Sequence, residues 1–237
     1  MTAANSDRQP AIRATGLVKS YTTGGERTVV LSGVDFEAMA GEMTMVIGPS
    51  GSGKSTLLAA VSGLLRPESG EVNALGEDLW RMPPSRIDAF RLRHCGFVFQ
   101  GFNLFPALNA VEQVALVVRY LGFSRTDARE RARAALDEVG LSGKLALRPA
   151  EMSGGEKQRV AIARALVKEP SLVFADEPSS ALDSENAARI IELLRVASRN
   201  RNAAVIVVTH DTKLQQSADR IVEMADGRVV QTKRFPA

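Results

Sequence analysis

Along this chain, short runs that are apolar at nearly every position alternate with longer stretches whose apolar residues recur at helical spacing. The clearest continuous runs are MTMVI (Met43 to Ile47), GFVF (Gly96 to Phe99), SLVFA (Ser171 to Ala175) and AAVIVV (Ala203 to Val208). A strand with no polar face must be covered on both sides, which a mainly parallel sheet between layers of helices provides. The pattern predicts an α/β core.

Two segments break this rhythm. Ala11 to Ala40 reads as shorter antiparallel strands, with a Gly24-Gly25 turn after VKSYTT and a turn at Gly41 after VDFEAMA. Between Phe102 and Glu151 no strand pattern occurs, and AVEQVALVVRYLGF and TDARERARAALDEVG carry helical spacing. In the second of these, Ala128, Ala132, Ala135, Leu136 and Val139 share one face and Gly140 follows as a C-terminal cap. Residues 102–152 therefore read as a mostly helical lobe inserted into a single domain, 1–237, whose core comes from residues 1–101 and 153–237. Near the end, RIVEMADGRVVQ sets Asp226-Gly227 between alternating strands, a two-residue hairpin signal.

Composition narrows the picture only slightly. The 45% hydrophobic and 24% charged content is that of an ordinary globular protein. Thirty basic against 27 acidic residues leave a net charge of +3, too mild to demand an anionic partner. Apolar runs such as LLAAVSGLL fall short of the roughly 20 residues that a membrane span needs. The start of the chain, MTAANSDRQPAIRA, lacks a secretory apolar core, and the single cysteine, Cys95, has no partner for an intrachain disulfide. These features fit a reducing cytoplasm, with Cys95 read as a small buried residue.

The first chemical motif is GPSGSGKST, Gly48 to Thr56, between a predicted strand and the helical run TLLAAVSGLL. It matches the phosphate-binding pattern G-x-x-x-x-G-K-[ST] in the strand-loop-helix context that the chemistry requires. Glycines let the backbone wrap an anion so that N–H groups point inward, and the following helix adds its dipole. Gly48, Ser50, Gly51, Ser52, Gly53 and Thr56 belong to this cradle, Lys54 would hold the β- and γ-phosphates, and Ser55 would ligate magnesium. The run SLVFADEP ends a buried strand in Asp176, placed to hold the metal through water, and Glu177, placed to orient or deprotonate an attacking water. Gln100, after GFVF, is either a metal or water contact or a turn residue. His210, after AVIVVT, is either a γ-phosphate contact or a structural cap.

In chain order, GPSGSGKST, Gln100, MSGGEKQR, LVFADE, SSALD and VTHD resemble the nucleotide-binding subunit of ABC (ATP-binding cassette) transporters, over about Val18 to Val230. The resemblance implies a P-loop NTPase (RecA-like) core with an N-terminal antiparallel β subdomain and an inserted helical subdomain, and ATP hydrolysis with ATP and Mg2+ as cofactors. In that family two cassettes pack head to tail. Ser153, Gly154 and Gly155 would thus face a nucleotide held by a second copy of the chain, and Asp183 would lie in a loop contacting that copy. Tyr21 takes the position of the ring that stacks on adenine. Met152 and Glu156 replace the commoner Leu and Gln of the signature, and Ser179 and Ser180 stand where many relatives carry Thr and Gly.

GFVFQGFNLFPALNAVEQV, GLLRPESGEV and SGGEKQRVAIARAL are similar to the branch of lipoprotein-releasing, macrolide-exporting and cell-division ATPases. That implies an integral membrane permease as partner, a place on the cytoplasmic face of the inner membrane, transmission of motion, and no nucleic acid. Phe102, Leu104, Phe105 and Pro106 would then either meet the permease or pack the lobe. The competing readings are a soluble ABC ATPase acting on DNA or ribosomes, a phosphate-loop kinase or GTPase, and a regulatory module that binds ATP without turnover. The first lacks its usual coiled-coil, zinc or tandem insertions here, the second lacks a guanine-reading N-K-x-D, and the third would make Glu177 dispensable.

Overall fold

The computed structural model of the chain describes residues 9–235. In chain order the strands are β1 (Ile12–Thr23), β2 (Glu26–Ala38), β3 (Met43–Ile47), β4 (Ser69–Ala74), β5 (Glu77–Asp78), β6 (Cys95–Val98), β7 (Leu172–Asp176), β8 (Ala204–Val208), β9 (Arg220–Ala225) and β10 (Arg228–Arg234). The helices are α1 (Lys54–Val61), α2 (Pro84–His94), α3 (Ala110–Tyr120), α4 (Arg125–Glu138), α5 (Gly154–Leu166) and α6 (Ser184–Arg201).

The main sheet runs β10-β9-β3-β8-β7-β6, parallel except for β10 at its edge. Its central strands β3, β8 and β7 are apolar at nearly every position because both faces are covered by different partners. Met43, Met45, Val173, Ala175, Val205 and Val207 pack with the helices α3 to α6. Val46, Leu172, Phe174, Ala204, Ile206 and Val208 pack instead with α1 and the second, antiparallel sheet, ordered β2-β1-β4-β5. This is the P-loop NTPase architecture with an antiparallel β layer.

The antiparallel strands differ from the sequence expectation in length. β1 and β2 run for 12 and 13 residues rather than as shorter pieces, with register irregularities at Ala14/Leu17, Leu17/Val18 and Lys19/Ser20. Ile12, Ala14 and Leu17 face the core and Ser20 is buried beyond them, whereas Tyr21, Thr22 and Thr23 are exposed. The buried residue of the outer half is a polar serine and the last three residues have no buried face, so no apolar alternation marks it. The Gly24-Gly25 turn is where the sequence places it, with φ of 60° and 88°.

The helices of the 102–152 stretch have explicit ends. α3 begins in a capping box between Asn109 and Glu112, and α4 begins with the Ser124 side chain accepting from the Asp127 N–H. α4 closes in a Schellman motif, with Gly140 N–H on Asp137 O (2.8 Å), Leu141 N–H on Leu136 O (2.8 Å) and Gly140 at φ 72°. Ala128, Ala132, Ala135, Leu136 and Val139 are all buried, joining one apolar cluster with α5 and the main sheet. The lobe helices thus hold α5 in place against the sheet.

Truncating the centre of this cluster tests the packing. Leu136 is 0% exposed, so Leu136→Ala should lower unfolding free energy by about 2–5 kcal/mol. Urea denaturation followed by circular dichroism measures it, and a loss under about 1 kcal/mol would show that the site collapses around the missing atoms.

Candidate active site

The loop that leaves the C-terminal end of β3 is shaped by contacts that exclude side chains. Gly48 has φ 149°, and a Cβ there would lie 2.1 Å from Met224 O on β9. Gly53 has φ 98°, and its Cβ would lie 2.5 Å from Val30 O on β2. The hairpin after β9 braces the loop as well, since Gly227 N–H donates to Ser52 O at 3.2 Å. Any residue but glycine at 48 or 53 would push the loop off its supports.

The loop delivers the start of α1 without a side-chain cap and without an acidic residue in its first turn. Its first N–H groups therefore lack intrahelical acceptors and present the positive end of the helix dipole. Lys54 is buried, and its Nζ donates to Gly48 O (2.9 Å) and Pro49 O (2.8 Å), strapping the loop closed. Ser52 Oγ is buried with no hydrogen-bond partner. Free N–H groups, a lysine and an orphaned hydroxyl converging on one concavity form an anion cradle.

Across from it, Ser55 Oγ donates to Asp176 Oδ1 at 3.0 Å. Burial raises the Asp176 carboxyl above its ordinary pKa; the Ser55 hydrogen bond opposes this, the Glu177 carboxylate next to it adds to it, and Lys54 pulls it back. Serine hydroxyl and carboxylate are hard oxygen donors, the kind Mg2+ takes while keeping several waters. Among the described residues no cluster of three or more His, Cys, Asp and Glu side chains gathers as an all-protein metal cage.

Glu177 takes a left-handed backbone, φ 47°, that costs a residue with a Cβ about 1–3 kcal/mol. Its N–H donates to Val208 O (2.9 Å), which ties the turn to β8. One carboxylate oxygen meets His210 Nδ1 at 2.8 Å, and the other is buried with no partner. With Glu177 ionised, Nδ1–H is the donor, so a neutral His210 turns an acceptor outward at Nε2.

The remaining sequence candidates are placed as follows. Tyr21 is exposed on the outer half of β1, with Lys19 Nζ 5.8 Å from its ring centroid. Gln100 is exposed in the turn that follows β6. Ser153 caps α5, its Oγ accepting from Glu156 N–H (3.3 Å) while Glu156 Oε2 accepts from Ser153 N–H (2.8 Å). The Ser153 hydrogen bonds, backbone first, hold the Glu156 carboxyl below its usual range, and Lys144 stands 3.7 Å away. The signature edge is therefore capped as well as glycine-rich, Ser153 and Glu156 capping it reciprocally.

Gly154 and Gly155 lie against the segment entering α6. A Cβ at Gly155 would be 3.2 Å from Asn186 Oδ1, and one at Gly154 would be 3.5 Å from Leu182 Cδ2. Asp183 caps α6, accepting from Asn186 N–H (2.9 Å) and Nδ2 (2.7 Å), and these bonds hold its carboxyl below the usual range. Two clusters result. Loop 48–55, Asp176, Glu177 and His210 share one strand edge, whereas Gly155 and Asp183 meet at Asn186, with Gly154 beside Leu182 and Ser153 next to it in the chain. Among the described residues no hydrogen bond or ion pair joins the signature glycines to the phosphate loop. Asn186 and the hairpin brace at Gly227 were missed by the sequence reading: Asn186 follows a recognisable cap by three residues, and Gly227 was read only as a turn.

Comparison with known proteins agrees with this architecture. The sequence pattern of the family described as ABC transporter matches residues 31–180. The lipoprotein-releasing system ATP-binding protein LolD of Syntrophotalea carbinolica is 45% identical over 218 residues, covering 92% of this chain and 96% of that protein. A putative hemin import ATP-binding protein, HrtA, of Staphylococcus haemolyticus is 39% identical, covering 92% of this chain and 99% of its own. The macrolide export ATP-binding/permease protein MacB of Rhodopirellula baltica is 41% identical over 94% of this chain, which spans 33% of that longer protein. A solved dimer of the ATP-binding cassette MJ0796, described as a post-hydrolysis state bound to ADP and Pi, superposes with a TM-score of 0.89 at 34% identity, covering 95% of this chain and 99% of that one. The chain belongs to the ABC transporter family, as an ATP-binding cassette that hydrolyses ATP.

Proposed function

We propose that two copies of this chain close head to tail on two ATP molecules and thereby drive an integral membrane permease at the cytoplasmic face of the inner membrane, by export or transmitted motion. The observation that carries the reading is the separation of the two clusters. Each is built and held by its own hydrogen bonds, yet among the described residues no hydrogen bond or ion pair joins the phosphate loop to Ser153, Gly154 and Gly155 of its own chain. A second copy supplies the missing wall, a reading supported by the dimeric structure of the similar cassette MJ0796. The chain acts as one cassette, 1–237, in which the helical lobe 102–152 carries permease contacts. The ATP-binding relatives named for lipoprotein release and macrolide export support the branch.

On this proposal the site residues take these roles. Loop residues Gly48 to Thr56 receive the phosphates, and Lys54 exchanges its carbonyl partners for phosphate oxygens. Ser55, Asp176 and Gln100 would hold Mg2+, which would supply positive charge to offset that of the phosphates. Tyr21 stacks on adenine. Glu177 takes the proton of the attacking water, its orphaned oxygen being the one left free for that contact. His210 keeps Glu177 aimed through Nδ1. To meet a phosphate oxygen it must protonate or release Glu177. Shifting an open-closed equilibrium from 1:99 to 99:1 takes about 5.5 kcal/mol, within reach of two shared triphosphates with several charge-assisted contacts each at about 1.5–3 kcal/mol.

On the lobe, Gln113 is 1% exposed and fixes the turn before α3, bonding Phe105 N–H (3.1 Å), Phe105 O (2.6 Å) and Leu108 O (3.1 Å). The clamp leaves the Phe105 ring 54% exposed while Leu104 packs inward. Phe105 and Pro106 meet the permease, and Phe102 and Leu104 support them.

Glu177→Gln should bind ATP as the parent does and turn over about 10²–10⁴-fold more slowly; phosphate release and nucleotide titration measure both, and unimpaired turnover would remove Glu177 from its role. Asp176→Asn separates stability from function. Its folded pKa is raised, so the ionised form costs stability at every pH above the unfolded carboxyl range. The variant should therefore melt at a higher temperature than the parent near pH 7 without nucleotide, while losing Mg2+-dependent turnover. Calorimetry at pH 7 checks the sign, and a lower melting point contradicts it. Phe105→Ala should leave the isolated ATPase rate within about twofold, as a surface change does, and weaken co-purification of a polytopic membrane protein from the native host. Undiminished recovery would move the contact elsewhere.

A further inference from the structure

Gln100 is followed by an unusual stretch of backbone. Phe102 (φ 59°) and Asn103 (φ 48°) are consecutive left-handed residues, a conformation that asparagine tolerates and phenylalanine does not favour. Local bonds close the turn, Phe102 N–H on Phe99 O (3.1 Å) and Asn103 N–H on Gly101 O (2.6 Å). The carbonyls of the two strained residues are taken by one side chain from far along the sequence. Arg164 donates from Nη2 to Phe102 O at 2.8 Å and from Nη1 to Asn103 O. A planar guanidinium fork fits two adjacent carbonyls in a way that a lysine ammonium cannot.

Arg164 stands on α5, the helix whose first turn holds Gly154 and Gly155. The nine steps from Gly155 to Arg164 span about 14 Å of continuous helix, too short and too well packed to bend freely. We propose that Arg164 is a positioning residue for hydrolysis: it fixes the turn carrying Gln100 to the signature helix, so that α5 and Gln100 move as one body. Gln100 of one site is then set by the helix that closes on the other. The proposal rests on the reading of Gln100 as a metal or water contact.

The test compares Arg164→Lys, Arg164→Ala, Gln100→Ala and the double variant Arg164→Ala/Gln100→Ala in the full chain. ATP affinity, turnover against Mg2+ concentration, and amide hydrogen exchange of residues 99–104 in the nucleotide-free protein are the readouts. Expected for Arg164→Ala are ATP affinity within about twofold of the parent, turnover lower by about ten- to a hundredfold, a higher Mg2+ requirement, and faster exchange at 99–104. The double variant should be no worse than the poorer single one, as for residues acting as a unit. Arg164→Lys keeps a charge and a donor and should fall between. It also carries the test if the alanine variant does not fold. Multiplicative losses in the double variant, or an unmoved Mg2+ profile despite faster exchange, would reduce Arg164 to a structural contact and overturn the proposal. If Gln100→Ala alone changes neither turnover nor the Mg2+ profile, the reading of Gln100 fails first and the proposal falls with it, a result distinguishable from the previous one.

Discussion

The register of the central parallel strands is the constraint on which the site depends. Val46 pairs with Val208, and Val208 with Asp176, so β3, β8 and β7 end in one row. From that row spring the phosphate loop, the Asp176-Glu177 pair and, two residues past Val208, His210. Side chains alternate along a strand, so a slip of one residue in β7 would turn Asp176 to the opposite face and break its 3.0 Å contact with Ser55. Apolar burial on both sheet faces makes such a slip costly everywhere at once. The hydrophobic pattern thus sets the geometry of the polar site.

The site itself is held in a state that a small protein would not choose for stability. Glu177 keeps a left-handed backbone and one unpaired buried oxygen, Ser52 has an orphaned hydroxyl, and the Asp176 carboxylate is raised by burial. α1 starts uncapped. Each of these is a deficit in the free chain and an asset toward a magnesium-bound triphosphate, which brings negative charge for the N–H groups and positive charge for the carboxylate. By contrast the start of α5 is fully capped by Ser153 and Glu156. In the proposed dimer the uncapped helix start would receive the phosphates, and the capped one would be a finished surface offered to them by the second copy.

Much of this was legible in the sequence. Strands buried on both faces, the phosphate loop, the C-terminal cap of α4 and the hairpin at Asp226-Gly227 follow from periodicity and turn chemistry. α2 was not, because only Ile87 and Phe90 are buried and so few apolar positions make no periodic stripe. β4 also escaped, since SGEVNA buries only Val72 and Ala74. α6 was overlooked despite Ala187, Ile190, Ile191, Leu194 and Ala197 at helical spacing. Of the site, residue types were readable while linkages were not. Nothing local in the sequence says that Arg164 reaches back 62 positions to Phe102, or that Met224 O presses on Gly48.

The central claim is that each ATP is enclosed by two copies of the chain. Sedimentation velocity of the Glu177→Gln protein, with and without saturating ATP and Mg2+, tests it most directly, alongside the same protein carrying Ser153→Arg. The account predicts monomers without nucleotide, dimers with ATP, and monomers again when the arginine blocks the signature edge, with ATP binding retained. A protein that stays monomeric with ATP bound, or one that dimerises equally well with Ser153 replaced, would contradict it.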